Sequence, residues 1–264
     1  MTGRVLRAAE VLVRAVPLAA ADRLAWVLAW VWWTVLPLRR RVAVDNLRAA
    51  LPQLAPGPVL RRMMHDLVLG YVEFVRFDEL GLTVEGAELC AGGAVVVAGH
   101  GGAWDVALLA YADAFPLAIF LRTPKNAAVQ AWLAEKRDAH GVVRLETGAT
   151  MADGFAALEQ GRSVYFIQDQ RHNKGPALPF FGRPAHTSLG AAVAALKSGR
   201  PVVGAWQWRE GIGRHRLVLR RLDVAGDAIA LTTALNQFYE DQIRARPHGW
   251  LWLHDRWKPV PTQG

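Results

Sequence analysis

Cysteine is almost absent: Cys90 stands alone among 264 residues. No intramolecular disulfide can form, so nothing demands an oxidising compartment, and a reduced, cytoplasm-facing setting fits. Dense metal-ligand motifs of the HxxH or HxD kind are also missing. A metal-dependent hydrolase built on His100, Asp105, Asp169 and His172 therefore lacks the usual ligand spacing. Internal repeats and low-complexity segments are absent, which excludes solenoids and linkers. Arg14 interrupts any early apolar core and no small-residue cleavage site follows one, which argues against a secretory signal. Long apolar runs are lacking too. Residues 24–36 (LAWVLAWVWWTVL) span only about 20 Å as a helix, short of the roughly 30 Å hydrocarbon core.

Acid is scarce in the first 62 residues, where ten arginines face only Glu10, Asp22 and Asp45. That segment holds nearly all of the formal net charge of +8, and the remainder is close to neutral. Trp26, Trp30 and Trp33 recur there at helical spacing, and Arg39, Arg40 and Arg41 follow directly. Tryptophan suits the headgroup boundary and an arginine cluster suits anionic lipid. The segment reads as a helix lying in the membrane interface or a shallow anchor, the alternative being a core helix of the catalytic part. Nucleic-acid binding fits the charge but no nucleic-acid motif accompanies it.

Hydrophobic residues make up 52% of the chain, enough for a substantial core. Residues 4–80 read as mostly helical, broken around 52–58 (PQLAPGP). Beyond residue 92 short apolar runs alternate with helical patterns: strands at 94–98, 116–121, 142–145, 163–168, 201–208 and 214–221, helices at 103–113, 126–138, 151–160, 188–198 and 227–245. This rhythm predicts an α/β fold with a mainly parallel central sheet and helices on both faces. Two parts follow: residues 1–80, a helical membrane-associating region, and residues 81–264, the α/β domain. The stretch 170–187, rich in glycine and proline, reads as a long functional loop.

One strand runs straight into chemistry. Residues 94–105 (AVVVAGHGGAWD) carry a valine-rich run into a glycine turn bearing His100, with Asp105 five residues on. Strand-to-helix crossings of this kind are where open α/β sheets bind ligands. On a regular helix His100 and Asp105 would point about 140° apart, so they meet only if the glycines fold the turn back. In that geometry Asp105 holds the imidazole while the other ring nitrogen takes a proton from a hydroxyl. The plainer alternative is a polar pair capping a turn.

A second strand, 163–168, ends in Asp169, Gln170 and Arg171, and a third ends at Arg122. Parallel strands would bring these ends to one edge with His100. Two guanidinium groups beside an aspartate suit a phosphate or carboxylate on the substrate, although each residue could equally be an ordinary loop charge.

With these residues in view, the chain resembles the lipid A biosynthesis acyltransferases, a bacterial branch of the glycerolipid acyltransferases, over roughly residues 39–258. His100 to Asp105 matches their HxxxxD signature. Arg122, closing AIFLR, matches the arginine of their second block, and Arg137 in WLAEKR falls at a helical substrate-binding arginine. IQDQ at 167–170 resembles their PDQ segment, with Gln168 in the proline position. Phe180, Phe181 and Gly182 followed by Thr187 resemble the FFG…T element, RPVV at 200–203 the fourth block, and WLWLHDRWK at 250–258 the closing pattern. That closing segment usually opens Pro-Glu-Gln and here reads Pro247, His248, Gly249.

The resemblance implies an acyltransferase with His100 as general base and Asp105 orienting it. It implies substrate binding by Arg122, Arg137, Asp169, Gln170, Arg171, Gly182 and Thr187. The donor would be an acyl-carrier-protein thioester acting as co-substrate, with no metal and no other cofactor. The acceptor would be a lipid A precursor or related glycolipid, with a lysophospholipid or aminolipid as the alternative. Expected partners are acyl carrier protein, the acceptor lipid and an anionic membrane surface, with no nucleic acid. The implied location is the cytoplasmic face of the bacterial inner membrane, peripheral or shallowly anchored through residues 24–41.

Overall fold

The computed structural model describes residues 2–258. Four helices open the chain: α1 (Thr2–Ala15), α2 (Leu18–Thr34), α3 (Arg40–Ala50) and α4 (Pro56–Val75). Pro17 precedes α2 and Pro56 starts α4, positions where a missing N–H costs nothing. The α/β part then runs β1 (Gly81–Glu85), β2 (Val95–Ala98), α5 (Trp104–Ala114), β3 (Leu117–Phe120), α6 (Ala127–Asp138), β4 (Val143–Leu145), α7 (Met151–Glu159) and β5 (Ser163–Ile167). It continues through β6 (Ala177–Phe180), β7 (Arg183–His186), α8 (Gly190–Ser198), β8 (Val202–Gly211), β9 (Arg214–Arg221) and α9 (Ala228–Ala245).

The main sheet has the order β1-β9-β8-β2-β5-β3-β4. Strands β8, β2, β5, β3 and β4 are parallel, while β9 turns back against β8 and β1 follows β9. The expectation of a mainly parallel sheet with helices on both faces holds. Alternation along β2 shows why: Val95 and Val97 enter one apolar core, Val96 and Ala98 the other.

Two elements depart from expectation. Strand β1 adds an edge that the short, half-buried GLTVE segment does not announce. The supposed loop 170–187 contains a hairpin, β6–β7, whose prolines obscure it. Pro179 and Pro184 lie opposite each other, a pairing open to two residues without N–H where the ladder needs no bond from either. Phe181 (φ 51°) and Gly182 (φ 69°) form the two-residue turn, whose left-handed conformations match strand twist.

The N-terminal helices do not form a separate core. Ala29, Trp32, Leu47 and Met63 belong to the same buried cluster as Val95, Trp250 and Trp252. Helix α2 packs a stripe of small residues, Ala21, Ala25 and Ala29, inward together with Trp32, and meets α4. Its larger residues Leu24, Trp26, Val27, Leu28 and Trp30 face outward. No helix among the described residues is long and apolar enough to cross a membrane.

Candidate active site

Strand register builds the site. Val95 pairs with Val164 and Ala98 with Ile167, each partner 69 positions on. Two residues beyond the strand ends the same offset brings His100 level with Asp169. Asp169 is buried, and its Oδ1 accepts from His100 Nδ1 at 2.8 Å. Its Oδ2 accepts from the His100 backbone N–H at 2.8 Å and from Trp250 Nε1 at 2.7 Å. An ionised carboxylate only accepts, so His100 carries its proton on Nδ1 and presents a basic Nε2. The ring is 21% exposed.

The electrostatics agree with the geometry. Burial pushes the His100 imidazole down, but the Asp169 charge and hydrogen bond, with a lesser contribution from Asp105, raise it above its ordinary value. Burial pushes the Asp169 carboxyl up, and the His100 charge with bonds from His100 and Trp250 more than reverse that, leaving it lowered. The pair is a histidine held in one tautomer by a buried carboxylate.

Asp105 takes another place. It lies in the first turn of α5, where a negative charge suits the helix dipole. Its hydrogen-bond partner is Arg137, with Nη2 at 3.4 Å from Oδ1. The glycines do not fold the turn far enough to bring Asp105 onto the ring, so the expected orienting bond belongs to Asp169. Burial raises the Asp105 carboxyl above its ordinary value despite Arg137 and His100. Arg137 is itself largely enclosed, and among the described residues its Nε has no hydrogen-bond partner.

The glycines serve close approach instead. A Cβ on Gly101 would overlap the Trp206 indole, and one on Gly102 (φ 59°) would overlap Gln207 Oε1. The Gly102 N–H donates to Gly249 O at 2.7 Å and the Ala103 N–H to Gln207 Oε1 at 2.8 Å. These two amides are engaged, which leaves the first-turn amides of α5 as the natural anion donors, since they lack carbonyls within their own helix.

The remaining expected residues scatter. Arg122 is exposed on the loop after β3, and among the described residues it has no ion pair. Gln170 is partly buried beside Asp169. The Arg171 N–H donates to His254 Nε2 at 3.1 Å, and its Nη1 donates to Lys258 O at 3.2 Å. Gly182 supplies the exposed turn of the β6–β7 hairpin, so its requirement is conformational. Thr187 is fully buried: its hydroxyl donates to Ala185 O at 2.8 Å and accepts from Arg256 Nη2 at 2.7 Å. It anchors a buried arginine and faces no groove. That guanidinium is pushed down to about 10 by burial, against the Asp169 charge.

A narrow groove, with a volume of only about 10 Å³, lies in front of His100 between α4 and the glycine turn. Met63, Leu67 and Trp104 give it an apolar lining, and Asp66 and His248 a polar one. An adjoining pocket is lined by Leu67, Gly70, Tyr71 and Asp105. Sequence reading missed Trp250, Gln207, Asp66 and His248 as site residues. Trp250 had a signal in the closing tryptophan pattern, and His248 had one as a departure from the usual Pro-Glu-Gln opening of that segment.

Comparison with known proteins bears on this arrangement. The family model described as bacterial lipid A biosynthesis acyltransferase matches residues 5–259. Two phosphatidylinositol mannoside acyltransferases of Mycobacterium tuberculosis, from strains H37Rv and CDC 1551, are each 28% identical over 186 residues. The match covers 67% of this chain and 58% of the length of each relative.

Proposed function

The chain belongs to the bacterial lipid A biosynthesis acyltransferase family, and on that premise we propose that it transfers a fatty acyl group from an acyl-carrier-protein thioester to a hydroxyl of a membrane glycolipid. The observation that carries this reading is the 2.8 Å bond between His100 Nδ1 and Asp169, at the edge of a partly apolar groove. A thioester carbonyl is already activated, so the enzyme has chiefly to deprotonate the acceptor and stabilise an oxyanion. His100 Nε2 takes the hydroxyl proton as the oxygen attacks the carbonyl carbon. The amides at the start of α5 face the developing charge. As the C–S bond breaks, the imidazolium returns the proton to the leaving thiolate. Arg137, paired with Asp105, orients a charged group of donor or acceptor, and Arg122 and Arg171 offer further cations.

For the acceptor, the family favours a lipid A precursor. The two mycobacterial relatives, by their names, favour a phosphatidylinositol mannoside. Mass spectrometry of the lipids formed from acyl-carrier-protein donors and a panel of both acceptors, together with lysophospholipids, discriminates these. Exclusive acylation of lysophospholipid would overturn the glycolipid reading. Replacement of His100 by Ala should lower turnover at least 10²-fold with the fold intact, as loss of a general base does.

The outward face of α2 supports operation at a membrane surface, which in this reading is the cytoplasmic face of the inner membrane. Trp30 is 58% exposed among Leu24, Val27 and Leu28, an apolar patch on a helix otherwise packed by alanines. Arg61 and Arg62 stack on Trp33 and Trp26 at its margin. A Trp30→Glu variant should bind phosphatidylglycerol vesicles about tenfold more weakly at unchanged melting temperature. Equal vesicle binding would remove the anchoring role of α2.

A further inference from the structure

A second imidazole lines the groove that holds His100. His248 lies on the short helical turn Pro247–Gly249, and its side chain is 35% exposed. Its Nδ1 is 2.9 Å from Asp66 Oδ2. Burial pushes the Asp66 carboxyl up, but hydrogen bonds from His248 and His65 and the charges of Arg209 and Arg62 hold it well below the usual carboxylate range. An ionised Asp66 accepts only, so His248 donates through Nδ1 and Nε2 remains for a ligand.

Backbone bonds tie this turn to the catalytic one. Gly249 O accepts from the Gly102 N–H at 2.7 Å, and the Leu251 N–H donates to His100 O at 3.1 Å. Trp252 Nε1 donates to Pro247 O at 2.7 Å. The two imidazoles are therefore carried on segments bonded to each other.

Asp66 needs no further cation for its own sake. Arg62 Nε lies at 3.1 Å, Arg209 Nε at 3.5 Å and His65 Nδ1 at 3.0 Å, with His65 Nε2 2.9 Å from Asp22. Of the four basic side chains on Asp66, His248 is the one that lines the groove with His100. A carboxylate already supplied with three partners serves here as a rigid mount for the fourth.

We propose that His248 recognises the acceptor head group, its Nε2 accepting a hydrogen bond from a sugar hydroxyl near the one that His100 deprotonates. This deepens the acyltransferase reading and rests on it. The substrate class it implies is a lipid with a polyhydroxylated head group, as opposed to one with a single free hydroxyl.

Initial rates of wild type, His248→Ala and His248→Gln test this. The donor is acyl-carrier-protein thioester, and the acceptors are a deacylated lipid A precursor and a phosphatidylinositol mannoside. His248→Ala should raise the acceptor KM about tenfold, the effect of one lost hydrogen bond, with donor KM moving less than twofold. His248→Gln, whose Oε1 still accepts, should recover most of the loss. An unchanged acceptor KM in His248→Ala, equal rises in both KM values, or a Gln variant no better than Ala overturns the assignment. Wild-type enzyme that acylates neither acceptor removes the acyl-transfer reading and this inference with it. That outcome is distinct from wild type acylating one acceptor while His248→Ala does so at unchanged KM.

Discussion

The ends of β2 and β5 each deliver an aspartate to the neighbourhood of one imidazole, and the two aspartates do different things. Asp105 is five residues from His100, whereas Asp169 is 69 away, yet Asp169 makes the bond. Burial pushes both carboxyls up. The charge and hydrogen bonds of His100 reverse that at Asp169, whereas Arg137 and the more distant His100 do not reverse it at Asp105. The difference teaches that parallel register outranks closeness in sequence. Level positions on adjacent strands face each other, while the non-helical turn before α5 and the helix start at Trp104 carry Asp105 towards Arg137.

The comparison breaks most readily in the rates. Asp169→Asn should lower turnover about 10²- to 10⁴-fold, because it frees the tautomer and removes the charge behind the imidazolium. Asp105→Asn should cost about tenfold, through Arg137 and the weaker field at His100. Equal losses in steady-state kinetics would return the orienting role to Asp105.

A second test contrasts backbone with side chain at the two ends. At β2 the glycines are needed for space, so Gly101→Ala should destabilise the fold by about 1–3 kcal/mol as the new methyl meets Trp206. Asp169→Asn keeps its shape and should unfold less readily than Gly101→Ala in urea titration. The reverse order would place the structural burden on β5.

The smallest effect is in the pH dependence. As the proposed general base, His100 would work only when neutral, so kcat/KM should fall as pH drops through a value above the ordinary imidazole 6.5, the direction in which Asp169 moves it. Asp169→Asn removes the principal raising partner and leaves burial, which lowers, so its acid limb should shift to lower pH. Asp105→Asn should shift the limb the same way but less. A limb unmoved in Asp169→Asn would show that another group titrates.

Much of the fold was legible because burial on both faces writes itself as valine-rich runs, and 94–98, 163–168 and 201–208 each proved to be central strands. Strand β1 and the β6–β7 hairpin were not. GLTVE is an edge, only partly buried, and Pro179 and Pro184 mask a ribbon whose register tolerates them. Among site residues, His100 was legible from its strand-glycine-helix setting. Asp169 was legible as a member of the same edge, but its role as His100's partner needed the offset of 69 that only the pairing of β2 with β5 supplies. Thr187 and Gly182 look polar and loop-like in sequence, yet one is a buried anchor for Arg256 and the other a turn.

By itself the sequence determined the periodicities, and through them the strands, the helices, the glycine turn and the apolar stripe of α2, since each depends on neighbours a few residues apart. The tertiary structure alone decided which carboxylate holds His100, which amides stay open and which imidazole shares its groove. Those are contacts across 69, 104 and 182 positions, to Asp169, to Gln207 and between His248 and Asp66. Their geometry is set by strand register and by helix packing, which no local pattern encodes.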